Sequence, residues 1–175
     1  MRHPPTIETD RLRLRSFRAA DHGPFTTYCA DPQMMTFLGG VISPEDAWRR
    51  LSTLAGQWML NGFGPFAVEE KASGSFAGYA GLWFPHGWPA RELMWGLVRA
   101  FHGRGYATEA ARAARDWANG TLGWQTTISL IDPENHASRG VAERLGATAD
   151  GAMILRGRQV AIYRHPAPVH SETTN

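Results

Sequence analysis

Val98-Arg99-Ala100-Phe101-His102-Gly103-Arg104-Gly105-Tyr106-Ala107-Thr108-Glu109-Ala110 is the stretch on which the reading of this chain turns. It follows an apolar run, Leu93-Met94-Trp95-Gly96-Leu97-Val98, that reads as a strand, and it opens a helix. Two glycines one residue apart let the backbone turn tightly and bring bare N–H groups close to a ligand. The helix start adds its own unpaired donors and the positive end of its dipole. The pattern is that of a phosphate cradle, although strand-to-helix turns also use Gly-x-Gly for backbone reasons alone. Neither the Gly-x4-Gly-Lys-Ser/Thr pattern nor the third glycine of Gly-x-Gly-x-x-Gly is present, so the cradle comes without a Walker lysine or a dinucleotide fingerprint.

Downstream, Ala107, Ala110, Ala111, Ala114 and Ala118 form a small-residue stripe that lets the helix lie close to a sheet. Gln125 to Ile131 reads as a strand, and Asp132-Pro133-Glu134-Asn135 leads into a helix with Ala137, Val141, Ala142 and Leu145 inward and Gly146 as terminator. Ala152 to Leu155 and Val160 to Tyr163 suggest a last hairpin. Upstream, Leu12 and Leu14 alternate with Arg11, Arg13 and Arg15, a half-buried strand whose arginines are expected in solvent. Asp21 is placed to cap a helix that Asp31-Pro32 stops. Ser43-Pro44-Glu45-Asp46 starts another, with Ala47, Leu51, Leu54, Ala55, Trp58 and Met59 at helical spacing and Asn61-Gly62 at its end. Trp48 and Trp58 read as core or pocket wall. Pro65–Glu70 and Phe76–Phe84 then form an antiparallel hairpin.

The chain has 175 residues, of which 43% are hydrophobic and 19% charged, a composition suited to one globular domain, placed at 1–165 with a disordered tail over 166–175. A formal charge of +2 with dispersed arginines and no basic aromatic stripe argues against nucleic acid. Cys29 is the only cysteine and reads as a buried structural thiol. No secretory leader is evident, and no apolar run approaches the roughly 20 residues needed to span a bilayer. A cytoplasmic protein outside the membrane is expected.

Taken in order, Thr9-Asp10-Arg11-Leu12-Arg13-Leu14-Arg15, Gly62-Phe63-Gly64-Pro65-Phe66-Ala67-Val68, Gly78-Tyr79-Ala80-Gly81-Leu82, His102 to Ala110, and Asn135-His136-Ala137-Ser138-Arg139-Gly140-Val141-Ala142-Glu143-Arg144-Leu145-Gly146 match one family. The chain resembles the Gcn5-related N-acetyltransferases (GNAT), and within them the RimJ/RimL-type enzymes. The resemblance implies an α/β (α+β) fold with a mixed, mostly antiparallel sheet of about seven strands and about four helices. The strands around 93–98 and 125–131 splay into a V-shaped slot for acetyl-CoA. Its pantetheine arm would pair with the strand edge from Met94 through Leu97 to Val98, and its pyrophosphate would sit on the amides of Gly103, Arg104, Gly105, Tyr106, Ala107 and Thr108. The family pattern begins with Gln or Arg where this chain has His102. Arg104 is a phosphate candidate, Tyr106 packs, Asn135 contacts the cofactor arm as well as capping its helix, and Ser138 lies near the cofactor sulfur.

The chemistry implied is direct attack of an amine on the thioester, with no metal and no acyl-enzyme. Glu92 aligns with the family's water-mediated base, and Ser138 assists the departing thiolate. The acceptor is a protein N-terminus or a small-molecule amine, and the protein a monomer or homodimer. The acceptor pocket is expected from the Pro32–Ile42 loop, the Pro85–Ala90 loop and the last hairpin. A non-catalytic acyl-CoA-binding module is the alternative, disfavoured by the presence of both Glu92 and Ser138.

Overall fold

Ser43 shows how local chemistry starts an element here: its Oγ accepts from Asp46 N at 3.1 Å, Pro44 takes the first helical position, and Gly62, at φ 71, ends the helix. The computed structural model describes residues 4–168, so positions 169–175 of the expected tail lie outside the described residues. The strands are β1 (Ile7–Glu8), β2 (Leu12–Arg15), β3 (Pro65–Glu70), β4 (Phe76–Trp83), β5 (Glu92–Leu97), β6 (Ile128–Ile131), β7 (Thr148–Leu155) and β8 (Arg158–Arg164). The helices are α1 (His22–Ala30), α2 (Pro32–Met35), α3 (Pro44–Asn61), α4 (Tyr106–Leu122) and α5 (His136–Arg144). The expected strand and helix counts each fall one short, because β1 and α2 are too short for periodicity to register. Asp31-Pro32 does stop α1, and Asp31 then caps α2 by accepting from Gln33 N at 2.9 Å.

The eight strands form one sheet in the order β1-β2-β3-β4-β5-β6-β8-β7, antiparallel except between β5 and β6. On one face α1 and α3 bury Phe25, Tyr28, Cys29, Leu51 and Leu54 against Ala67 and Tyr79. On the other, Ala110, Ala111, Ala114 and Ala118 of α4 are fully buried with Leu12, Leu14, Ala80, Leu82 and Leu93. Full burial of one such leucine contributes about 2 kcal/mol, and the alanine stripe brings the helix near enough to the sheet to obtain it.

Four expectations fail for tertiary reasons. Arg15 is buried, not solvated: its Nη1 and Nη2 donate to Asp21 at 2.8 Å and its Nε to Glu69 at 2.7 Å. Asp21 is consumed by that pair and by Arg18 N, and makes no side-chain cap to α1. Trp48 is 47% exposed and Met59 72% exposed, and Gln57 takes the inward position beside buried Trp58. Ala137 is exposed, although Val141, Ala142 and Leu145 of the same stripe are buried. Strand lengths also shift. β6 starts three residues later than expected, while β7 and β8 extend beyond the apolar runs because their pairing is carried by backbone, not by side-chain burial.

Candidate active site

The β5–β6 contact is a single parallel pair, Glu92 with Ile128, in which Ile128 N donates to Arg91 O at 2.9 Å. The next rung of a parallel ladder would join Leu130 N to Leu93 O. Side chains take both groups instead. Leu130 N donates to Glu92 Oε1 at 3.3 Å, and Leu93 O accepts from Ser129 Oγ at 2.6 Å. From there β5 stays with β4 and β6 with β8, so the two strands part. Val98 N points to Ala77 O of the β4 side, and alternation along the strand therefore turns the Trp95 N–H and C=O and the Leu97 N–H toward the parted side. His102 Nε2 lies 2.9 Å from Leu97 O. A carbonyl only accepts, so Nε2 carries the proton, and the His102 side chain is spent on the end of β5.

Glu92 sits at the vertex of this V. Trp88 Nε1 donates to its Oε2 at 2.7 Å, and no ion pair to its carboxylate forms among the described residues. Burial drives its pKa from 4.5 up to about 7, against the opposing pull of the Leu130 amide and the Trp88 indole. Ser129 is held in turn by His165, whose Nε2 lies 2.9 Å from its Oγ. Because that hydroxyl donates to Leu93 O, His165 must donate to it, which leaves Nδ1 as a buried acceptor without a partner among the described residues. Burial, helped by the charge of Arg115, holds the His165 pKa down at about 4, so the ring is neutral. This Ser–His pair is no nucleophile: Ser129 is 2% exposed and its proton is engaged.

At the other end of β5, about 17 Å along the strand from Glu92, lies the cradle. After a 3-10 turn at Arg99–Phe101, Gly103 and Gly105 adopt φ +74 and +79, a left-handed backbone that glycine tolerates. Gly105 caps α4 without any side-chain bond, so among the described residues the amides of Tyr106, Ala107 and Thr108 receive no cap. These free donors, with the helix dipole, fit a pyrophosphate. Arg104 is neither free in solvent nor bare toward the cradle, since its Nη1 donates to Glu70 Oε1 at 3.0 Å. Tyr106 packs: it is buried, stacked on Phe101, with its OH donating to Glu70 at 2.8 Å.

Across the slot, Asn135 caps α5 by accepting from Ser138 N at 3.1 Å. Ser138 is half-buried, and its hydroxyl makes no hydrogen bond among the described residues. Arg144 Nε donates to Thr108 Oγ1 at 3.3 Å, tying α5 to the first turn of α4. Gly103 to Thr108 thus form one cluster linked to α5, Leu97 and Val98 lead into it, and Glu92 stands apart at the vertex. Ser129, His165 and the Trp88 donor were missed by sequence reading; Ser129 left a signal, as the one polar residue in Ile128-Ser129-Leu130-Ile131.

A family model described as an acetyltransferase (GNAT) domain matches residues 11–148. The chain belongs to the GNAT acetyltransferases. An acetyltransferase from Agrobacterium tumefaciens str. C58 shares 34% identity with this GNAT chain and superposes with a TM-score of 0.84, over 93% of this chain and 94% of that one. Uncharacterized protein YkkB of Bacillus subtilis (strain 168) is 29% identical over 161 residues, 90% of this chain and 93% of its own length. RimL, a ribosomal L7/L12 alpha-N-protein acetyltransferase in complex with coenzyme A, shares the fold with a TM-score of 0.76 over 93% of this chain and 98% of its own, at 18% identity. Membership of this family supports acyl transfer from acetyl-CoA as the general activity. No helix among the described residues is long and apolar enough to cross a membrane.

Proposed function

We propose that residues 1–165 form one RimJ/RimL-type N-acetyltransferase domain that works in the cytoplasm and transfers an acetyl group from acetyl-CoA to an α-amine, such as a protein N-terminus. The observation that carries this reading is the pair of backbone donor sets without partners among the described residues, Trp95 and Leu97 on the parted edge of β5 and Tyr106, Ala107 and Thr108 at the start of α4. Acetyl-CoA supplies an activated thioester. The chain's residues supply the rest. Amides 103–108 bind the pyrophosphate, and the β5 edge between Met94 and Val98 aligns the arm, with the Trp95 N–H as the donor that polarises the acyl carbonyl. Asn135 contacts the arm from α5.

Glu92 takes a proton from the amine through water as the C–N bond forms, and the Ser138 hydroxyl donates a hydrogen bond to the sulfur as the C–S bond breaks, the departing thiolate taking its proton from solvent. A carboxylate with a pKa of about 7 suits that task near neutral pH. An α-amine with a pKa near 8 is already partly neutral there, whereas a lysine amine near 10.4 is about 0.1% neutral, so the former needs far less help. Thiol release from acetyl-CoA, measured across N-terminal peptides, polyamines, aminoglycosides and amino acids, tests the reading. Turnover with peptide α-amines is expected. Tight CoA binding without turnover on any amine would favour the acyl-CoA-binding module.

A further inference from the structure

Arg156 is the only non-glycine residue with positive φ among the described residues, at φ 50. With Gly157 at φ 78 it forms the two-residue turn between β7 and β8, a position that favours Asn, Asp or Gly. An arginine there is a strained choice of residue. Its side chain is not wasted in solvent: the guanidinium lies over the Trp88 ring, 5.4 Å from the centroid. Trp83 meets the same indole edge-on at 6.2 Å, and the indole N–H reaches Glu92. A strained turn, the 84–91 loop and the vertex of the slot are therefore joined through one ring.

We propose that Trp88 is a positioning residue for Glu92, its indole N–H fixing the carboxylate at the vertex and favouring the ionised form, and that Arg156 holds the indole in that pose. This rests on the reading of Glu92 as the base. The Tyr79 phenol of β4 is a further ionisable group on this side; burial raises its pKa, so it stays neutral and adds no charge beside Glu92, and the Arg156 guanidinium contributes its charge through its place over the indole. The Leu130 amide of β6 is the one further donor to the carboxylate among the described residues. With Trp88 removed, Glu92 keeps its burial and loses the shorter of its two hydrogen bonds.

The test uses Trp88→Phe and Arg156→Asn, with Glu92 titrated by carbon NMR of carboxyl-labelled glutamate and its signal identified by its loss in Glu92→Gln. Trp88→Phe should raise the Glu92 midpoint by about one pH unit, from the loss of one hydrogen bond to a charged group. The rate on an α-amine acceptor should then fall about tenfold below that midpoint and recover at higher pH. Arg156→Asn should shift the midpoint the same way by less, without lowering thermal stability, because Asn suits the turn better than Arg. A purely structural Arg156 would do the reverse, lowering stability and leaving the midpoint alone. A Glu92 midpoint unmoved in both folded variants overturns the proposal. A midpoint that moves while the rate profile stays put leaves Trp88 in its role and removes Glu92 as the base.

Discussion

Glu92→Gln should make this protein more stable and less active, and both effects should depend on pH in a way the burial of Glu92 dictates. The carboxyl has a pKa of about 7 in the folded chain against 4.5 as its ordinary value. The folded state therefore holds a proton that the unfolded state has lost between those pH values. The neutral acid's contribution is fully present below about pH 4.5 and is lost as pH rises through about 7, a difference of about 3 kcal/mol. Gln mimics the neutral acid at every pH. It can also accept from only one of the two donors, Trp88 Nε1 and Leu130 N, which takes back about 1 kcal/mol. The variant should thus exceed the parent by about 2 kcal/mol at about pH 8.5 and by less than about 1 kcal/mol at about pH 5. For a chain of this length that corresponds to a rise in Tm of roughly 4–8 °C at the higher pH. Urea unfolding and thermal melts at both pH values measure it. An equal stability difference at the two pH values, or a variant less stable at the higher one, would refute the burial account of Glu92. Turnover should fall most above about pH 7, where the parent's base is ionised and the acceptor amine is still partly protonated, and the two enzymes should converge on either side.

Three further outcomes are expected. Gly105→Val forces a β-branched residue to φ +79, where its Cβ meets only Arg11 Nη2 at 3.5 Å, so the penalty is backbone strain at the start of α4; calorimetric titration should show CoA affinity reduced about tenfold or more, in line with about 1–2 kcal/mol of such strain at the cradle. Ser138→Ala should lower turnover about tenfold with little change in the shape of the pH profile, since a thiol with a pKa near 8.5 leaves tolerably unaided; an unchanged steady-state rate would remove Ser138 as the donor to the sulfur. His165, neutral in the fold with a pKa of about 4, makes the unfolded chain the better proton acceptor below about 6.5. Its contribution to stability should fall by about 3 kcal/mol as pH drops from about 6.5 to about 4, nearly offsetting the gain from Glu92 over that range, and His165→Gln should leave a net rise in stability as pH falls in urea unfolding.

Much of this protein was legible in the sequence because much of it is decided within one turn of chain. Ser43 and Asn135 cap helices three residues away, Gly62 and Gly146 end helices in left-handed backbone, and the alanine stripe of α4 repeats at helical spacing. The cradle is of the same kind: Gly103 and Gly105 shape their own turn, and the helix after them supplies the amides. What the sequence by itself could not decide depends on partners distant along the chain. Arg15 has an ordinary alternating position, and only its approach to Glu69, 54 residues on, makes it a buried cation. Resemblance picks out Glu92 as a base, but its raised pKa exists because β6 and the 84–91 loop close over it. Ser129 and His165 are 36 residues apart, and neither has meaning as the stop that parts β5 from β6 until Leu93 O lies 2.6 Å from the Ser129 hydroxyl. Capping and periodicity are local energies, whereas burial and the choice of a hydrogen-bond partner across a sheet are set by which surfaces the whole chain brings together.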